Sequence, residues 1–245
     1  MNNMRIDLIP TADEIKKETL SGQTAIALDI LRATSTIVTA MACGCREMVP
    51  VETVVEALST VQKRPDVILG GERESLLIPG FHLGNSPLEY TREKVGGKVV
   101  VLTTTNGTRA IRRAAVGSGE VLIGSVLNAG AVAREALNTG RDIVFICAGT
   151  RGEFSLEDTV AAGLIMMELY NLSGGNTVLP GSDLAVAAWR LGEFYAHNPL
   201  QALYDSLHGQ KLAGMGLAAD MEWCARLNCY DLVPAYQRDT IIVKS

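Results

Sequence analysis

Four stretches of the 245-residue chain carry residue types and spacings suited to chemistry on a small anion. The first is Thr103-Thr104-Thr105-Asn106-Gly107-Thr108-Arg109, with hydroxyls, an amide, a glycine and an arginine in one turn. An apolar run (98–102) precedes it and a helix-forming run (110–115) follows, so the free N–H groups of a helix N-terminus should lie beside these side chains. Such a place suits a phosphate. A capped strand-to-helix turn is the simpler alternative. The second stretch is Asp29-Ile30-Leu31-Arg32-Ala33-Thr34-Ser35-Thr36, and the third is Gly70-Gly71-Glu72-Arg73. The fourth starts at Cys147-Ala148-Gly149-Thr150-Arg151 and continues through Glu153 and Ser155 to Glu157 and Asp158. Carboxylates among hydroxyls suit Mg2+, which takes one or two protein carboxylates and completes its shell with substrate oxygens. Arginines grip phosphate, carboxylate or sulfonate through paired N–H groups. Any one arginine–carboxylate pair is more simply a structural ion pair; four such groups at strand ends are harder to explain that way.

The elements that must hold these stretches follow from short apolar runs rich in Val and Ile. Strands are expected over residues 5–9, 24–30, 47–51, 66–69, 98–102, 120–123, 142–147 and 239–244. Helices are expected from about 32 to 43, over 52–62, from Pro87, over 110–115, from Asn128 to 138 and from Ser155 onward. Thr11 and Glu14 have the spacing of a capping box. Beyond Gly174-Gly175 the pattern turns helical, over 184–195, from Pro199 and over 217–227. Strands alternating with helices imply an α/β fold, a mainly parallel sheet with helices on both faces. Ligands of such sheets bind beyond the carboxyl ends of the strands. The four stretches all sit at strand ends and should share one rim. No linker, repeat or low-complexity segment divides the chain, so residues 1–245 read as a single unit; two lobes remain compatible with it, but no boundary marks them.

Composition narrows the partners. Hydrophobic residues make up 47% and charged residues 20%, as in a soluble globular protein. The net charge of −5 and the lack of a basic run argue against nucleic acid. No apolar stretch reaches the roughly 18 residues a membrane helix needs. Residues 1–7 lack the charged start and apolar middle of a signal peptide, which points to the cytoplasm. The five cysteines, an odd count, fit reduced thiols. Familiar phosphate motifs are missing: no Walker A loop, no G-x-G-x-x-G after an early strand, no D-x-D pair at Asp29, and C-x3-R rather than C-x5-R at Cys147. His82, His197 and His208 are scattered and form no metal motif.

Taken together, residues 29–36, Gly71-Glu72-Arg73, Gly80-Phe81-His82-Leu83-Gly84-Asn85-Ser86-Pro87, residues 103–108 and Cys147-Ala148-Gly149 with Phe154, Glu157 and Asp158 resemble the 2-phosphosulfolactate phosphatase family. The motifs fall in the family's order from about residue 5 to the C-terminus. The resemblance implies a cytoplasmic, Mg2+-dependent phosphatase that converts (2R)-2-phospho-3-sulfolactate to (2R)-3-sulfolactate and phosphate, a step towards coenzyme M. It also implies an active site in a cleft between two lobes. On this reading Asp29, Glu72, Glu157 and Asp158 supply metal ligands. Asp29, with Asp158 as the alternative, is the catalytic carboxylate, and Arg32 stabilises the transition state. Thr105, Asn106, Gly107 and Thr108 cradle the phosphate, while Arg73 and Arg109 hold the other anionic groups. The partner is a small anionic substrate, with neither nucleic acid nor membrane involved, and a homo-oligomer is left open. Two alternatives stand beside it: a phosphatase for another small phosphorylated acid, and an anion-binding protein without catalysis.

Overall fold

Period-two alternation sorts the strand side chains between two faces of one sheet. In β2 (Thr24–Leu28) Ala25 and Ala27 face one core, and Ile26 and Leu28 face another. In β6 (Val99–Thr103) Val100 and Leu102 share the core of Ala25, while Val99 and Val101 face the opposite way. A strand buried on both faces needs helices on both sides, which is the parallel-sheet pattern. The computed structural model describes residues 4–16, 20–64, 66–175 and 178–244. Residues 1–3, part of the stretch in which a leader was sought, lie outside them.

The remaining strands are β1 (Met4–Ile9), β3 (Glu47–Val51), β4 (Ile68–Arg73), β5 (Leu76–Leu77), β7 (Glu120–Gly124), β8 (Ile143–Cys147), β9 (Val178–Pro180), β10 (Pro234–Gln237) and β11 (Thr240–Val243). They join in the order β5-β4-β6-β3-β11-β10-β7-β2-β8-β1-β9. Strands β4, β6 and β3 form one parallel set, and β7, β2, β8, β1 and β9 form another. The C-terminal hairpin β10–β11 lies between the sets, antiparallel to β7 on one side and β3 on the other. The helices are α1 (Ala33–Ala42), α2 (Val54–Lys63), α3 (Arg92–Val95), α4 (Gly107–Ala115), α5 (Ala129–Asn138), α6 (Leu156–Leu172), α7 (Asp183–Tyr195), α8 (Pro199–Asp205), α9 (Leu207–Gly214) and α10 (Ala218–Cys224).

Five strand-to-strand steps separate β6 from β2 in that order, a distance of about 24 Å in a flat sheet. Yet Gly107, just past β6, packs against Asp29, just past β2. The sheet is therefore curled. Its concave face holds α1 and α4, whose Ile37, Met41, Ala110 and Ile111 share a core with Met48 of β3, Leu102 of β6, Ile123 of β7 and Ile146 of β8. That shared core links the two parallel sets, and one sheet runs through both; no separate second lobe stands out among the described residues. Helices α5 to α8 cover the convex face of the larger set, and α2 covers the smaller.

Local departures from the sequence pattern have physical causes. Strand β4 runs on through Gly70-Gly71 instead of ending at Leu69. Gly71 adopts φ 143°, and any Cβ there would collide with the Thr103 carbonyl oxygen, so only glycine lets β4 pass β6 this closely. Thr11 precedes only a single 3-10 turn, Ala12–Glu14, and its hydroxyl caps no backbone N–H. No described helix is long and apolar enough to cross a membrane.

Candidate functional site

The turn after β2 is built by its own side chains. The Thr34 N–H donates to the Asp29 carbonyl (2.9 Å), and the Asp29 N–H donates to Thr34 Oγ1 (3.1 Å). Asp29 Oδ1 accepts the Ala33 N–H at 3.1 Å, which fixes the carboxylate at the N-terminus of α1. Among the described residues no hydrogen bond engages Asp29 Oδ2, which lies against Gly107. A Cβ at Gly107 would stand 2.6 Å from that oxygen and 2.5 Å from Ala33 Cβ. Glycine is what allows the first turns of α1 and α4 to meet over one carboxylate.

Glu72, at the end of β4, joins the third stretch to the first. Its Oε1 accepts both the N–H (2.8 Å) and the hydroxyl (2.9 Å) of Thr105, and its Oε2 accepts the Ser75 N–H (2.8 Å). Arg32 is buried. It donates to Asp220 Oδ2 at 2.5 Å and to the Ser75 carbonyl at 3.0 Å. Asp220, on α10, also accepts the Ser86 hydroxyl at 2.6 Å. The guanidinium is thus immobilised from three parts of the chain.

These groups line one cleft of about 180 Å³. Asp29, Arg32, Glu72, Asn85, Thr105 and Asn106 line it together with Leu207, His208 and Lys211 of α9. Burial pushes the Asp29 carboxyl up to about 7; the Ala33 N–H opposes this, the nearby Glu72 and Glu157 charges add to it, and Arg32 opposes it. Asp158 is raised well above the carboxylate range by burial and then by Glu157 and Asp29, and Glu157 is raised by burial.

Of the residues singled out from the sequence, Asp29, Arg32, Glu72, Thr105 and Asn106 line the cleft together, with Gly107 packed against Asp29. Asp158 lies behind them. Its carboxylate accepts the Ile30 N–H (2.8 Å) and the Gly149 N–H (3.4 Å), clamping the turns after β2 and β8 together. Glu157 is buried. Thr108 is buried in its own turn, exchanging hydrogen bonds with Thr104 at 3.1 and 3.2 Å. Arg73 turns to the Glu52 carbonyl and the Thr103 hydroxyl, and Arg109 pairs with Asp13 on the outer face of α4. Neither of these arginines lines the cleft.

His208, Lys211 and Asp220 came from the helical region that sequence patterning left unassigned in function. The available signal was Ser206, which caps α9 by accepting the Gly209 N–H at 3.0 Å. Among the described residues no three His, Cys, Asp or Glu side chains converge as a complete metal cage. Asp29 and Glu72 nevertheless face the same cleft, and two carboxylates completed by waters and phosphate oxygens are a normal Mg2+ set.

A cleft with an anchored arginine, two carboxylates and a helix N-terminus is equipped to polarise and hold a phosphoryl group. The family model for 2-phosphosulpholactate phosphatase matches residues 9–239. A relative from Symbiobacterium thermophilum is 43% identical over 96% of this chain and 98% of its own length. Another from Clostridium tetani is 39% identical over 97% and 100%, and one from Clostridium acetobutylicum is 40% identical over 98% and 100%. All three are named "probable 2-phosphosulfolactate phosphatase". With the match running almost from end to end, the chain belongs to the 2-phosphosulfolactate phosphatase family and is a phosphoric monoester hydrolase.

Proposed function

We propose that the cleft hydrolyses 2-phosphosulfolactate in a Mg2+-dependent reaction, releasing phosphate and 3-sulfolactate. The observation that carries this is the meeting of Asp29, Glu72, Thr105 and Arg32 in one cleft although their strands are far apart in the sheet. The printed names of the relatives supply the substrate class.

Asp29 and Glu72 would hold the metal, which when bound supplies positive charge to offset the charge growing on the transferred phosphoryl group. The free first-turn N–H groups of α4 hold phosphate oxygens, while the Thr105 hydroxyl, whose proton goes to Glu72, keeps that carboxylate in place. Arg32 adds a fixed cation whose position costs no reorganisation during the reaction, because Asp220 and the Ser75 carbonyl already hold it. Asp29 is the reacting carboxylate. Its Oδ2 either attacks phosphorus, expelling the ester oxygen of 3-sulfolactate and leaving an aspartyl phosphate that water then hydrolyses, or takes the proton of a water whose oxygen attacks phosphorus as the same ester bond breaks; Asp29→Asn removes both roles. Asp158 positions Asp29 through the Ile30 N–H. The product of this reaction would feed coenzyme M synthesis in the cytoplasm.

Phosphate release from 2-phosphosulfolactate, measured with Mg2+ and again with EDTA, tests the proposal. Turnover that needs the metal is expected. Turnover unaffected by EDTA contradicts the metal role, and no turnover with Mg2+ contradicts the substrate.

A further inference from the structure

The mechanism leaves several lining residues of the cleft unused, among them Lys211, Arg151, His208 and Asn85. Asn85 is almost fully buried, and its Oδ1 has no hydrogen-bond partner. A buried amide left unpaired is costly, so it points to a partner supplied from the cleft. Rotating the amide by half a turn replaces the acceptor with an N–H donor. Burial, with the Lys211 and Arg32 charges nearby, pulls the His208 pKa down.

Lys211 and Arg151 are not idle in the structure. Glu74 Oε2 stands 2.7 Å from Arg151 Nη2 and 3.6 Å from Lys211 Nζ. Glu74 sits in the turn between β4 and β5 with φ 53°, and its side chain is 68% exposed. An ion pair this exposed contributes little and is readily exchanged for another anion.

A phosphosulfolactate carries a sulfonate on the carbon next to the one bearing phosphate. The sulfonate has no place beside Asp29 and Glu72, which would repel it. We propose that Lys211 and Arg151, together with His208 and Asn85, form the subsite that receives the sulfonate, and that Glu74 occupies this subsite as an internal stand-in until substrate displaces it. The proposal rests on the phosphatase reading of the cleft and adds the residues that select the substrate within it.

The test compares KM for 2-phosphosulfolactate with KM for 2-phospholactate, which keeps the carboxylate and lacks the sulfonate. In Lys211→Met the KM ratio of sulfonated to unsulfonated ester should rise about tenfold, the scale of one partly exposed charge-assisted contact. In Glu74→Gln the KM for the sulfonated ester should fall about two- to fivefold, because the competing carboxylate is gone. An equal rise for both esters in Lys211→Met assigns the lysine to the phosphate or carboxylate and overturns the subsite. An unchanged ratio in an enzyme that still hydrolyses the sulfonated ester overturns the subsite alone. A KM that holds or rises in Glu74→Gln overturns the stand-in role. A wild-type protein that releases no phosphate from the sulfonated ester overturns the reading of the cleft and the subsite with it.

Discussion

Gly107→Ala tests whether the turns after β2 and β6 truly meet. At an open helical position alanine is more stable than glycine by up to about 1 kcal/mol. At Gly107 the added methyl would lie 2.5 Å from Ala33 Cβ and 2.6 Å from Asp29 Oδ2. Ordinary contact begins near 3.4 Å, so one of the two helix starts must retreat by about 0.9 Å. Overpacking of this kind costs about 1–3 kcal/mol, which exceeds the propensity gain and makes the variant less stable. The same retreat moves the Asp29 carboxylate, and a displacement near 1 Å costs about 100-fold in rate. Urea midpoints and kcat/KM for a phosphate ester read both effects. Gly214→Ala is the control, since nothing lies within 4 Å of its added methyl; it should keep its rate and lose no stability, gaining up to about 1 kcal/mol. A Gly107→Ala protein with a higher midpoint and an undiminished rate refutes the close approach.

Asp220→Asn leaves the Arg32 charge buried without its counter-ion, and about 3–5 kcal/mol of stability should be lost. The pair Arg32→Met with Asp220→Leu should recover most of that loss without recovering activity; a double variant as unstable as Asp220→Asn contradicts the ion-pair account. The pH dependence of the metal-free protein carries a sign that can be checked in EDTA. Unfolded Asp29 titrates near ~3.9, while the folded carboxyl is raised to about 7. This group's contribution is therefore fully present below about pH 4 and is lost as pH rises through 7. Metal-free Asp29→Asn should consequently be more stable than wild type at pH 8, with the gap closing towards pH 5; a constant gap shows that Asp29 is not the titrating group.

The strand-end turns were legible because Val and Ile runs give way abruptly to Asp, Thr, Gly and Arg, and those turns do gather on one rim. Which side chain of a turn faces the cleft was not legible from the turn alone. Arg109 shows why. It shares one face of α4 with Arg112 and Arg113, at the spacing of three and four residues that aligns side chains on a helix, while Ala110, Ile111 and Ala114 bury the other face. Read as a helix rather than as a turn, residues 107–115 already put Arg109 on the outer side, towards Asp13. The curl of the sheet lay beyond sequence pattern altogether. It depends on β10, a strand of Pro-Ala-Tyr-Gln with no apolar alternation, pairing with β7 while β11 reaches β3. Asp158 was read as a metal ligand by residue type, yet its oxygens meet two backbone N–H groups 128 and 9 residues away in the chain.

The central claim is that Asp29 performs the reaction in a cleft it shares with Glu72 and Arg32. The most direct measurement is single-turnover phosphate release from 2-phosphosulfolactate at saturating Mg2+, for wild type and Asp29→Asn, with circular dichroism confirming the fold of each. The variant's rate should be lower by roughly a thousandfold or more with an unchanged spectrum, the scale lost when a reacting group is removed. A folded Asp29→Asn protein that releases phosphate at the wild-type rate contradicts the claim.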